Sequence, residues 1–208
     1  MIRFDEEKHI YSDKDGIIPS VTYVLRATGV VPPINQFMRG ALARGRAVHK
    51  AIELFDQGML DFSTVDNRIE PWLDAYVTWA GREGERFKRR RNEVVLFSKS
   101  KRIAGRADGI ATDVDEDCPA VIEFKSGEKE PWHVFQVTGY WSMVVELKRE
   151  RPKANGWLVY LKKDGTYRQE QVKLDAAAWS GIVGTFNLSR ARHVSFLAKL
   201  QREEALDD

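Results

Sequence analysis

The sequence predicts an α/β fold, because strand-like and helix-like segments interleave along its 208 residues. Three observations carry this. Short runs rich in β-branched and aromatic residues are closed by strong turn signals, most clearly Lys162-Lys163-Asp164-Gly165-Thr166 between residues 157–161 and 167–172. Longer segments place apolar residues at helical spacing, as in Ile69, Trp72, Leu73, Tyr76 and Trp79. Residues 105–127 read as two strands joined by an acidic turn, with an aspartate, a glutamate and a lysine at their ends.

Taken in order, residues 3–11 set Phe4, Ile10 and Tyr11 among charges, and Ser12-Asp13-Lys14-Asp15-Gly16 is a turn leading to Ile17-Ile18, which predicts a β-hairpin. Ser20 is placed to N-cap a short helix over 21–27 that Gly29 stops. After Pro32-Pro33, a helix over 35–58 carries Phe37, Leu42, Val48, Ile52 and Phe55 as its apolar stripe, with Gly40 and Gly45 as points of division. A second helix, over 67–88, ends in the basic run Arg86, Lys88, Arg89, Arg90 and Arg91.

Strands over 94–97 and 103–112 flank the turn Lys99-Ser100-Lys101, and the acidic stretch 113–117 connects onward to Ala120-Val121-Ile122. A helix over 132–149 comes next, then the 157–172 hairpin. A last helix over 175–203 has Asp175 as N-cap and Trp179, Ile182, Phe186, Leu188, Val194 and Leu197 as apolar positions, with Gly181 and Gly184 as breaks. With no repeat and no linker, a single domain is expected: residues 1–34 an N-terminal hairpin and short helix, 35–175 the core, 176–208 a C-terminal helix.

At 43% hydrophobic and 31% charged, the chain suits a globular domain able to bury a core. The net charge of +2 is uninformative, but its distribution is uneven: residues 82–106 hold ten Lys or Arg against three Glu. Cys118 is the only cysteine, which excludes an intramolecular disulfide and any four-cysteine zinc or iron-sulfur site. MIRFDEEKH at the start has no apolar stretch of signal-peptide length, and no run approaches membrane-spanning length, so a cytoplasmic location without membrane contact is expected.

In strand 120–125, Glu123 and Lys125 share one face while Ile122 and Phe124 point to the other. Two carboxylates, Asp108 and Glu123, beside Lys125 at adjacent strand ends are what metal-assisted attack on a phosphodiester requires. A Glu-x-Lys pair equally suits a solvated strand face, so the pair alone leaves both readings open. Arg46, His49 and Glu53 line one side of the early helix, and Gln136 and Tyr140 one face of the later one. Glu93 reads as a further ligand or as a charge beside arginines, and the second reading is preferred.

His49 in a helix, Asp108 at a strand end, Glu123-Phe124-Lys125 in the next strand and Gln136-x-x-x-Tyr140 in the following helix form an ordered set that resembles the PD-(D/E)XK nuclease superfamily, in its RecB-type, lambda-exonuclease-like branch. The resemblance spans His49 to Tyr140, and Ala107 stands where the superfamily name has proline. It implies a restriction-endonuclease-like core with a central mixed β-sheet flanked by helices. It further implies Asp108, Glu123, the Phe124 carbonyl and His49 as ligands of Mg2+ or Mn2+, without an iron-sulfur cluster. Asp108, Glu123 and Lys125 would be catalytic, with Lys125 near the attacking water, and Gln136 and Tyr140 would hold DNA phosphate or position Lys125. Arg46 and Arg106, in the two basic stretches 39–50 and 82–106, are expected to bind DNA backbone. The implied function is DNA exonuclease action in a bacterial or phage-infected cell, in recombination, repair or replication, with a single-strand annealing or other recombination protein as partner. The alternatives are a structure-specific endonuclease and a non-catalytic DNA-binding subunit.

Overall fold

A computed structural model describes residues 2–33, 38–147 and 154–189. The centre is a five-stranded mixed sheet in the order β4 (Phe87–Ser98), β5 (Ile103–Asp113), β6 (Cys118–Lys125), β7 (Asn155–Leu161) and β8 (Tyr167–Gln171). All neighbours are antiparallel except β6 and β7, which run parallel. That parallel pair needs a crossover, and α4 (His133–Leu147) lies within it.

Alternation sends side chains of the central strands to two cores. Ile122 and Phe124 of β6 with Trp157, Val159 and Leu161 of β7 pack beneath α2 (Met38–Asp56) and α3 (Glu70–Glu83). Val121, Leu158 and Tyr160 face the opposite core, under α4, α1 (Val21–Ala27) and α5 (Ala176–Leu188). The first core is aromatic: Phe124 meets the edges of Trp79 at 4.8 Å and Tyr76 at 5.1 Å between ring centroids. The strand carrying Glu123 and Lys125 is thereby clamped on its other face. Among the described residues, no helix is long and apolar enough to cross a membrane.

Several elements match expectation. Ser20 caps α1, accepting from the Tyr23 N–H at 3.0 Å, and Asp175 caps α5 from Ala178. The glycines expected to divide α2 and α5 do not break them. Asn35 and Phe37, the end of the 132–149 helix, and Val194 and Leu197 lie outside the described residues.

Two elements differ. The N-terminal hairpin is a three-stranded meander, β1 (Arg3–Asp5), β2 (Ile10–Asp13) and β3 (Gly16–Ile18), because residues 3–5 pair with β2 on its second edge. The basic run 86–91 leads into β4 and is not the end of a helix: α3 stops at Glu83, Arg86 is in the turn, and Phe87, the first strand residue, is buried against Trp79 and Trp157. Ladder pairing with β5 and burial of one aromatic override the helical periodicity that the charges seemed to extend.

The acidic connection also divides in two. Asp113 ends β5 with 0% exposure and receives Arg86 Nε and Nη2, both at 3.1 Å, while Arg86 also stacks over Trp157 at 4.4 Å. This ion pair ties the starts of β4 and β7 to the end of β5. Arg86→Met leaves Asp113 buried without its cation and is expected to cost about 3–5 kcal/mol in urea unfolding. A loss under 1 kcal/mol, within the range of exposed pairs, would contradict that role.

Candidate active site

The site begins where two strands part. Pairing between β5 and β6 runs only from Asp113↔Cys118 to Gly109↔Ile122, whereas β6 stays paired with β7 to Lys125↔Tyr160. Past Ile122, β6 therefore has an unpaired edge. Asp108 fills the gap: its Oδ2 accepts the Phe124 N–H at 2.8 Å. A buried main-chain donor is satisfied, and the carboxylate is fixed in orientation.

The other oxygen of Asp108 faces a cluster. His49 Nδ1, from α2, lies 3.4 Å from Asp108 Oδ1 and 4.0 Å from Glu93 Oε1. One ligand atom from each of His49, Glu93 and Asp108 lies within 4.8 Å of the others, so these three could hold one metal ion. Glu93, taken from sequence as a charge beside arginines, does pair with one, Arg106 Nε lying 2.7 Å from its Oε2, and its other oxygen faces the cluster. The signal was present in the register. Val94↔Ala107 and Asn92↔Gly109 set Glu93 opposite Asp108, and counting outward from the Lys99-Ser100-Lys101 turn gives the same pairing. Glu93 takes a positive φ of 50°, which only tertiary context imposes on such a residue.

Beside this cluster stands a hydrogen-bonded triad. Lys125 Nζ donates to Glu123 Oε1 and to Gln136 Oε1, each at 2.9 Å, and Gln136 Nε2 donates to Glu123 Oε1 at 2.6 Å and to the Tyr140 hydroxyl at 3.2 Å. Trp132 covers the ammonium, its ring centroid 5.8 Å away. Tyr140 is itself wedged against Gly105, where a Cβ would come within 2.5 Å of its ring. Gln136 and Tyr140 are buried; Gln136 reaches Lys125 directly, and Tyr140 reaches it through Gln136.

Of the remaining sequence candidates, Phe124 contributes its N–H to Asp108. Arg106 is engaged by Glu93, by Glu6 at 3.3 Å and by the Phe4 ring, while Arg46 is exposed on α2. The side chain of Arg39 lies outside the described residues.

Burial raises all three acids, and the Asp108 charge adds to it at Glu93 and Glu123. Glu93 is pushed up to about 8 by burial and then by the Asp108 charge, against the pull of Arg106. Burial and the Asp108 charge take Glu123 to about 7, and burial takes Asp108 to about 6 against Lys125 and the Phe124 N–H. Desolvation and the Lys125 charge hold His49 below its ordinary value, leaving a neutral imidazole with a lone pair to offer.

One further atom bears on what the site holds: Glu123 Oε2 is buried with no hydrogen-bond partner. An orphaned carboxylate oxygen beside two more carboxylates and a neutral imidazole fits a divalent cation, oxygen donors suiting Mg2+ or Mn2+ and the imidazole a first-row ion.

No protein-family model matches the chain, and no curated protein matches its sequence. Among solved structures, it is similar to an alkaline exonuclease from Laribacter hongkongensis, at 14% identity and a TM-score of 0.45, over 78% of this chain and 86% of that one. It is also similar to the protein SSO0001, at 18% identity and a TM-score of 0.36, over 78% of this chain and 79% of that one. The chemistry of the site follows from its own geometry.

The raised acids make a stability prediction. In chelator, folded Glu93, Asp108 and Glu123 keep protons that the unfolded chain releases near 4.5, 3.8 and 4.5, so stability falls as pH rises through the folded values. His9, His49 and His133, all lowered, act oppositely, but only below the 6.5 at which unfolded histidine is protonated. Between pH 6.5 and about 8, Glu93 and Glu123 act unopposed by these histidines, and the melting temperature in chelator should fall. Glu93→Gln should flatten that fall; an unchanged slope would detach Glu93 from it.

Proposed function

We propose that the chain is a metal-dependent nuclease that hydrolyses DNA phosphodiester bonds. The observation that carries this reading is the juxtaposition of the His49, Glu93 and Asp108 cluster with Glu123, whose second oxygen is unpartnered beside a tightly held Lys125. His49, Glu93, Asp108 and Glu123 would hold the cation, and the Phe124 carbonyl joins them on the resemblance alone. When bound, a divalent cation supplies charge neutralisation at the phosphate and acidifies water.

The chain's own residues do the rest. Lys125, anchored by Glu123 Oε1 and Gln136 Oε1, keeps a fixed positive charge for the attacking water or the developing phosphate charge. Gln136 joins Lys125 to Glu123 and rests on Tyr140, so the ammonium is placed before substrate arrives. Asp108 spends one oxygen on the Phe124 N–H and keeps the other for the cluster.

Exonuclease action, Mg2+ or Mn2+ as the ion, a role in phage-type recombination, repair or replication and a recombination protein as partner extend this reading from the resemblance, and a single domain in a cytoplasmic setting extends it from the composition and pattern of the chain. The deciding experiment digests end-labelled linear and circular DNA, single- and double-stranded, with Mg2+, Mn2+ or chelator. Loss of linear DNA with a closed single-stranded circle left intact supports the exonuclease. Cutting of the circle makes it an endonuclease, and binding without cleavage a non-catalytic subunit.

Asp108→Asn, Glu123→Gln and Lys125→Ala should each lower cleavage by about a thousandfold or more while the chain still melts cooperatively. Wild-type rates for Glu123→Gln would sink the assignment. The gain in melting temperature on adding Mn2+ should vanish in Asp108→Asn and shrink in His49→Ala, a readout independent of turnover.

A further inference from the structure

The acid cluster takes Glu93 from a stretch of β4 that does not run regularly. Consecutive strand residues point to opposite faces, yet Asn92 and Glu93 both meet α2. Asn92 Nδ2 donates to Asp56 Oδ2, and Glu93 Oε1 lies 4.0 Å from His49 Nδ1. The left-handed backbone of Glu93, φ 50°, breaks the alternation, and the register with β5 shifts just before it, between Lys88 and Arg91. Such an irregularity re-aims a side chain. In a glutamate it persists only where the surroundings hold it in place.

Asp56, the last residue of α2, does the holding. Its Oδ1 lies 2.6 Å from Arg90 Nη2, inside the register shift, and its Oδ2 accepts from Asn92, one peptide before Glu93. The Tyr76 hydroxyl, from α3, donates to the same Oδ2. Asp56 follows His49 by seven residues, two turns along the same face of α2. One helix therefore brings His49 to the cluster and, through Asp56, grips the strand that brings Glu93. The Arg90 pair alone would join the helix to the sheet; the bond to Asn92 acts next to the carboxylate that the cluster uses.

Resting on the metal-site reading above, we propose that Asp56 is a positioning residue for that site: by holding Arg90 and Asn92 it keeps Glu93 turned toward His49 and Asp108. Its own oxygens are taken by Arg90, Asn92 and Tyr76, so it acts on the ion through Glu93. Groups that orient a metal ligand from behind are worth about ten- to a hundredfold in metal affinity.

The test is Asp56→Ala in the full chain, read by titration calorimetry with Mn2+ and by urea unfolding in chelator. The expected result is a Mn2+ dissociation constant about ten- to a hundredfold higher than wild type. Glu93→Gln, itself weakened, should lose nothing more when Asp56→Ala is added, because the effect passes through Glu93. Tyr76→Phe is the control for the fold: it removes a bond to the same carboxylate but keeps both grips on β4, and should bind Mn2+ as wild type does whatever its urea midpoint. A wild-type dissociation constant in Asp56→Ala, or additive losses in the double variant, overturns the proposal and leaves the metal site standing. Equal weakening in Tyr76→Phe assigns the loss to the fold and overturns it as well. Should Asp56→Ala not unfold cooperatively, Asn92→Ala takes its place with the same expectation and the same overturning result. If the wild type binds no Mn2+, the metal-site reading falls and this proposal with it.

Discussion

The site depends on one bond, from the Phe124 N–H to Asp108 Oδ2. β6 is held by β7 from Ala120 to its end at Lys125, but β5 releases it after Ile122, so the last residues of β6 have one edge in the sheet and one edge open. An open edge inside a protein must be satisfied or solvated. Asp108 satisfies it with a side chain in place of a third strand's carbonyl, and the space that a continued ladder would fill becomes the site. The same bond divides the labour of the carboxylate: Oδ2 is structural, and Oδ1 is aimed at His49.

The charges gathered there set the electrostatic balance of the site. Glu93, Asp108 and Glu123 are three acids facing two fixed cations, Arg106 and Lys125. Fully ionised, the set carries one excess negative charge in a poorly solvated place; burial raises all three acids, and the Asp108 charge raises Glu93 and Glu123 further. A divalent cation turns the excess into one positive charge, and a phosphodiester brings it to neutrality. On the proposed nuclease reading, this charge balance suits cation and phosphate together better than either alone.

Much of this was legible from the sequence because it is local. Alternation in 120–125 fixed which side chains share a face, and the pairs Glu123 with Lys125 and Gln136 with Tyr140 fall at spacings that strands and helices enforce. Capping put Ser20 and Asp175 where helices begin. What escaped is non-local. Glu93 acquires its place from cross-strand register, and Asp113 from a cation twenty-seven residues upstream. A composition reading took the acidic stretch as mere connection, and only burial separates Asp113 from its exposed neighbours.

The basic stretch 82–106 shows why a count of charges misstates a surface. Arg86 is consumed by Asp113, Arg102 by Asp13, and Arg106 by Glu93, while Arg90 pairs with Asp56 at 2.6 Å and lies over Tyr76 and Trp79. Arg86, Arg90 and Arg106 act as cross-links whose planar heads both pair and stack, a use that lysine could not fill. The strand's alternation and its bulge between Lys88 and Arg91 decide which neighbours are spared: Arg89 and Arg91 face solvent, as does Arg46 on α2. A polyanion approaching this chain meets those few exposed cations, while the arginines nearest the acid cluster are already committed to holding it in shape.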